Sequence, residues 1–237
     1  MLALILLTLV CILTYSFEIV FALAGTVLML PLMSAFYDTK TLVIYSVLPQ
    51  ILVALIGLAR TRVTVDLKFL AGMLLFAGFG AIAGFALFYY FSADVFQVLL
   101  ASAITATGLF LVAAPNRTHL GRKAARVLDT LAGTSQALFG ISGPIAMTRL
   151  LASFEKKTEV RQYAFAFFLA MNGLRAVVYL LHGTYTDEIL EMMLFSAPFL
   201  AIALWFSHQL HLRVHERGFR RGVSWAILGG GITLFFH

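Results

Sequence analysis

The sequence predicts an all-α integral membrane protein built as two inverted repeats, with six full transmembrane helices and two broken, re-entrant helical hairpins. Three observations carry this. Long runs lack any formal charge, two glycine-broken segments fall in matching places, and the basic residues gather on one face when those breaks are read as turns. Eight single spans are the alternative.

Of the 237 residues, 61% are hydrophobic and 12% are charged, where soluble domains carry about 25% charged residues. Residues 19–37, 41–59, 69–93, 95–116 and 192–212 contain no Asp, Glu, Lys or Arg. Runs of this length cross a hydrocarbon layer. A spanning segment must satisfy its own backbone, as a helix or within a closed barrel. The runs are continuous and lack the alternation of barrel strands, so helices are expected. Full spans fit at 41–59, 68–92, 95–114, 162–182, 188–209 and 219–236. Met1 to Ala24 lacks a basic start and a small-residue cleavage pattern, so it is expected to remain part of the fold. Cys11 is the single cysteine, which excludes an intrachain disulfide.

Two longer segments remain, 1–37 and 127–154. The first carries Ala24-Gly25-Thr26 and then Pro31, the second Gly140-Ile141-Ser142-Gly143-Pro144. About a dozen helical residues precede the second break, roughly 18 Å at the helical rise, enough to reach mid-bilayer and too few to cross. The two halves repeat. An offset of 118 pairs Gly25 with Gly143, Leu32 with Leu150 and Phe36 with Phe154. An offset of 121 pairs Asp66 with Asp187, and one of 123 pairs Phe96 with Phe219 and Gly108 with Gly231. The expected organisation is a first repeat over 1–116, a cytoplasmic basic linker over 117–126 and a second repeat over 127–237. Duplicated units are common in secondary transporters, which bind substrate at the repeat interface.

Charge decides between the topologies. If each broken segment crossed once, seven basic residues would face one side and nine the other, with no positive-inside bias. If each segment turns at its glycines and leaves where it entered, fifteen of the sixteen share one face and only Lys40 departs. Asp38, Asp94, Asp187, Glu188 and Glu191 then lie opposite, with both termini. The net charge of +6 is thereby read as topology, and no nucleic-acid partner is expected.

Irregular backbone at membrane depth is tolerated where it lines a cavity. Half-helix N-termini offer free N–H groups and a positive dipole end, which suit an anion. This marks Gly25, Thr26, Gly140, Ser142, Gly143 and Pro144, with Pro144 suited to the first turn of a returning half-helix. Arg175 is the only formal charge between Gln162 and Thr186, and an ionisable residue at such depth is a site candidate. Its planar fork suits carboxylate or sulfonate oxygens. Asn172 lies three positions earlier on the same helix face. Gln50 follows Pro49, which kinks the helix and turns the amide inward. Glu18 is a partner for Arg175 or a coupling residue. Close helix packing by the glycines and a purely structural ion pair are the plainer alternatives. His208, His211 and His215 read as a solvated basic face, with no cluster to hold a metal. The sequence has no Gly-Lys-Ser/Thr phosphate loop, no Gly-x-Ser-x-Gly and no His-Glu-x-x-His, so neither an enzyme nor a cofactor is expected.

The second half resembles the sulfite exporter TauE/SafE family of bacterial permeases. The matching residues are Leu138 to Pro144, Glu159-Val160-Arg161, Phe168 to Arg175, Tyr179 to Gly183, and Phe219-Arg220-Arg221. Phe21 to Pro31 resembles the partner repeat, with the glycine pairs reduced to Gly25 and with Glu18 where a small or amide residue is usual. The resemblance implies a multi-pass protein of the bacterial inner membrane. It implies secondary transport of a small anion, such as sulfite, sulfoacetate or a related organosulfur anion. An anion channel, or a non-transporting subunit of a larger complex, is the competing expectation. The expected partners are that anion and the lipid bilayer, and assembly into a homo-oligomer stays open.

Overall fold

A computed structural model describes residues 1–21, 25–60, 64–113, 120–210, 228–229 and 231–232. The expected span 219–236 lies outside the described residues except for those last four. Arg62, Arg117, His211, His215 and the Phe219-Arg220-Arg221 motif also lie outside them.

The described residues form helices and no strand. The first hairpin is α1 (Leu2–Phe21) and α2 (Gly25–Met33). Next come α3 (Thr39–Tyr45), α4 (Val47–Ala59), α5 (Leu67–Tyr90) and α6 (Ala93–Ala113). The second hairpin is α7 (Arg122–Phe139) and α8 (Gly143–Leu151), followed by α9 (Lys157–Leu181) and α10 (Asp187–Leu210). Five stretches are long and apolar enough to cross a membrane: Leu2–Ile19, Thr39–Ala59, Leu67–Tyr90, Thr158–Leu181 and Asp187–Ser207.

Both hairpins pair a long helix with one of nine residues, α1 with α2 and α7 with α8. The long limb of the second hairpin exceeds the dozen residues expected before its break. α7 has 18 residues, because the helix already starts in the basic stretch at Arg122. That start also places residues 122–126, the end of the expected linker, inside a helix. α1 has 20 residues, about 30 Å along its axis, so it is the longer of the two long limbs.

The second hairpin doubles back. Arg149 at the end of α8 meets Asp129 on α7 at 3.2 Å. Beyond it the Phe154 ring stacks on Tyr163 of α9 at 4.3 Å and meets Phe69, near the start of α5, at 4.9 Å. At the other end, Tyr89 of α5 stacks on His182 at 4.7 Å and shares a hydrogen bond with Thr184. Lys40, the basic residue that departs from the charge rule, belongs to this end. Its Nζ donates to the carbonyls of Phe88 and Phe91 at 2.9 and 2.6 Å, so it caps the C-terminus of α5.

Glycines set the closest helix contacts. On α5 and α7, a Cβ on Gly133 would meet the Ala77 carbonyl oxygen at 1.9 Å, and one on Gly80 the Thr130 carbonyl at 2.0 Å. Two backbones in contact gain dispersion that large side chains would prevent, which is how small residues associate helices in lipid. Gly108 and Gly231, paired by the sequence offset, meet opposite partners: a Cβ on Gly108 would strike Leu228, and one on Gly231 would strike Thr105 of α6.

The turn between α3 and α4 has a local cause. Pro49 has no N–H for the Tyr45 carbonyl four residues earlier, so the helix is interrupted at Ser46. The Ser46 hydroxyl donates back to the Val43 carbonyl at 2.6 Å. This interruption lies beside the breaks of both hairpins and places Gln50 between them.

Candidate functional site

The two breaks meet. Gly140 ends α7 in the left-handed conformation, with φ +70°, and α8 starts three residues later at Gly143. Pro144 occupies the first turn of α8, as expected, and is buried. The start of α2 lies opposite, and a small cavity of about 20 Å³, lined largely by polar residues, separates them. Gly25 and Thr26 line it from α2, and Gly140, Ile141, Ser142 and Gly143 from the second break. Glu18, Gln50, Gln136 and Phe168 complete most of the wall.

Amides tie the two hairpins together. Gln50 donates through Nε2 to the Gly140 carbonyl at 2.7 Å and also to the Thr26 hydroxyl. Its Oε1 accepts from Gln136 Nε2 at 2.8 Å and from Arg175 Nη1 at 3.4 Å. All the hydrogen-bonding capacity of Gln50 is therefore used. Gln136 donates also to Asn172 Oδ1 at 3.0 Å, and its own Oε1 accepts the Ser142 hydroxyl at 2.6 Å. Thr26 completes the chain through Tyr15, whose hydroxyl lies 3.0 Å away. A satisfied buried network of this kind fixes side-chain positions, because each unpaired group at such depth would cost free energy.

Arg175 is fully buried. Nη1 donates to Asn172 Oδ1 at 2.8 Å and Nη2 to the Val43 carbonyl at 2.8 Å. Asn172 anchors itself by donating to the Phe168 carbonyl one helical turn back. Arg175 and Asn172 thus share a face, as their spacing requires. They do not line the cavity, however. They stand behind it, against Gln50 and Gln136, so the guanidinium charge acts on the cavity through the amides. The Tyr179 ring lies 5.6 Å from the guanidinium.

The two half-helix starts differ. Ser142 precedes α8 without capping it, since its hydroxyl is turned to Gln136. At α2 the Glu18 carboxylate lies against the backbone N–H groups of Gly25 and Thr26. Glu18 is 5% exposed, and its Oε2 has no hydrogen-bond partner. Its place depends on Gly25, because a Cβ there would lie 2.0 Å from Oε2. Glu18 is therefore a lining group at a helix start, with Arg175 held by other partners.

Gln136 is the residue that sequence reasoning missed. An amide inside a charged, mixed-polarity helix looks solvated, and α7 begins with three basic residues in its first five. A signal existed. The offset of 118 that aligns Gly25 with Gly143 also aligns Glu18 with Gln136. Both stand seven residues ahead of the glycine that starts a half-helix, and both line the cavity.

No group of three or more His, Cys, Asp or Glu that could hold a metal ion occurs among the described residues. Comparison with curated proteins and with solved structures gives no match. The family model described as sulfite exporter TauE/SafE matches residues 7–234. The chain is thus a multi-pass transmembrane protein of transporter type, and it belongs to the sulfite exporter TauE/SafE family.

Proposed function

We propose that this chain moves a small sulfur oxyanion or organosulfonate, such as sulfite or sulfoacetate, across the bacterial inner membrane, and that the anion binds between the two hairpin breaks. One observation carries the reading: two half-helix starts, at Gly25 and Gly143, open on a single polar cavity backed by a buried Arg175. N–H groups at helix starts are neutral donors with a positive dipole behind them. They stabilise an anion without the tight grip of a direct ion pair, so release stays fast. Arg175 adds a permanent positive field behind the amides. Gly25, Thr26, Gln50, Gly140, Ser142 and Gly143 would touch the anion. Pro144 would shape the α8 start, and Asn172 and Arg175 would position Gln50 and Gln136.

The same reading includes the topology. Each hairpin enters and leaves on one face, 1–116 and 127–237 form inverted repeats, and both termini lie on the face opposite the basic loops. The charge distribution supports this, as does the return of α8 toward the start of α5.

Purified protein in liposomes tests the function. Saturable uptake of sulfite or sulfoacetate, driven by an ion or substrate gradient, is the expected result. Flux without saturation would make the protein a channel. The absence of flux for sulfite, sulfonates and small carboxylates would leave a non-transporting subunit.

A further inference from the structure

Of the groups that line the cavity, Glu18 carries a carboxylate, and it sits where the proposed substrate should bind. Resting on the proposed function above, we infer that Glu18 is a tethered competitor. Its carboxylate occupies the α2 start, and an anion reaches both half-helix starts only when Glu18 has taken up a proton.

The geometry is specific. The carboxylate lies against the N–H groups of Gly25 and Thr26, the donors that a helix start would offer to a free anion. Its Oε2 faces the cavity without a partner and is buried. At the matching place in the second half the residue is Gln136, a neutral amide that is bonded away to Gln50, Asn172 and Ser142. One helix start thus carries its own anion and the other carries none.

The surroundings leave this charge in the cavity. Thr26 of α2, Gln50 of α4, Gln136 of α7 and Phe168 of α9 face the same space, and none of them is ionisable. Tyr15 on α1 is bonded to Thr26. On α9, Arg161 donates to the Ile19 carbonyl at 2.7 Å, and Arg175 to Val43 and Asn172. From α10, Ser207 bonds to Ser16 and to the Ala203 carbonyl. A second anion entering beside an ionised Glu18 would meet a like charge in a space with little water, which strongly disfavours binding. Protonation removes that repulsion and frees the Gly25 and Thr26 donors. Anion binding therefore takes up a proton from solvent, and the affinity falls as pH rises.

The probe is methanesulfonate, which stays ionised throughout the titration. Its binding to detergent-purified protein is measured by calorimetry, in pairs of buffers that differ in protonation enthalpy. The wild type should take up about one proton per anion at alkaline pH, and its Kd should rise about tenfold per pH unit there. Glu18→Gln removes the charge, as protonation does, and should bind with one affinity across the range. Binding by the wild type without proton uptake, or equal pH slopes in both proteins, overturns the role of Glu18 and leaves the anion site standing. If neither protein binds methanesulfonate, sulfite or sulfoacetate at any pH, the proposed function falls and this inference with it. Should Glu18→Gln fail to fold, the proton count of the wild type decides alone.

Discussion

Arg175 Nη2 lies 2.9 Å from the place where a Cβ on Gly140 would stand, and Ser46 Oγ lies 3.0 Å from it. Residue 140 is also in the left-handed region, at φ +70°. The turn and the guanidinium therefore fit only with hydrogen at that position. Gly140→Ala should lower stability by at least the ~1–2 kcal/mol that the left-handed backbone costs a residue with a Cβ. The loss should appear as an earlier thermal transition of the purified protein. An unchanged transition would show that the turn relaxes freely.

Arg175 holds Asn172 and the Val43 carbonyl with two different nitrogens. Arg175→Lys keeps the charge but cannot present the same fork. Losing one charge-assisted hydrogen bond, about 1.5–3 kcal/mol, should weaken anion binding roughly tenfold or more. Arg175→Gln should abolish transport at near-normal membrane levels, because Gln136 still supplies Gln50 and Asn172. A fully active Arg175→Gln protein would reduce Arg175 to a structural role.

Gln136 bonds to three site residues. Gln136→Leu leaves the Ser142 hydroxyl buried without its acceptor and removes the donor to Gln50. Unsatisfied groups of this kind cost about 1–3 kcal/mol each. Transport should fall at least tenfold while Gln136→Asn, which is shorter but still an amide, retains part of it. Uptake by both variants, normalised to membrane level, checks this.

Gly133 packs on the Ala77 backbone, which cannot swing aside as a side chain can. Gly133→Ala should force α5 and α7 apart and cost about 1–3 kcal/mol of overpacking. The expected signature is lower expression together with an earlier thermal transition. Gly173, whose Cβ would meet nothing within 4 Å, should accept Ala without that loss.

The topology can be checked by labelling single cysteines in a Cys11→Ala background. Lys123→Cys before the second break and Lys156→Cys after it should label from the same side, and Asp187→Cys from the other. Labelling of positions 123 and 156 from opposite sides would restore a single crossing for α7 and α8.

Residue patterns alone were enough for the helical membrane class, the break at Gly140 to Gly143 and the face shared by Arg175 and Asn172. These follow from local rules. A backbone in lipid must bond to itself, glycine permits the left-handed turn at residue 140, and residues three apart on a helix lie side by side. The tertiary structure decided which polar groups look into the cavity and which stand behind it. It turned Gln136 inward, set Arg175 behind Gln50, bound Lys40 to the end of α5 and placed Glu18 on the start of α2. Each of these depends on a contact between helices distant in the chain. The approach of α4, α7 and α9 fixes which side-chain atoms are covered and which face open space, and no local pattern of residues encodes that distance.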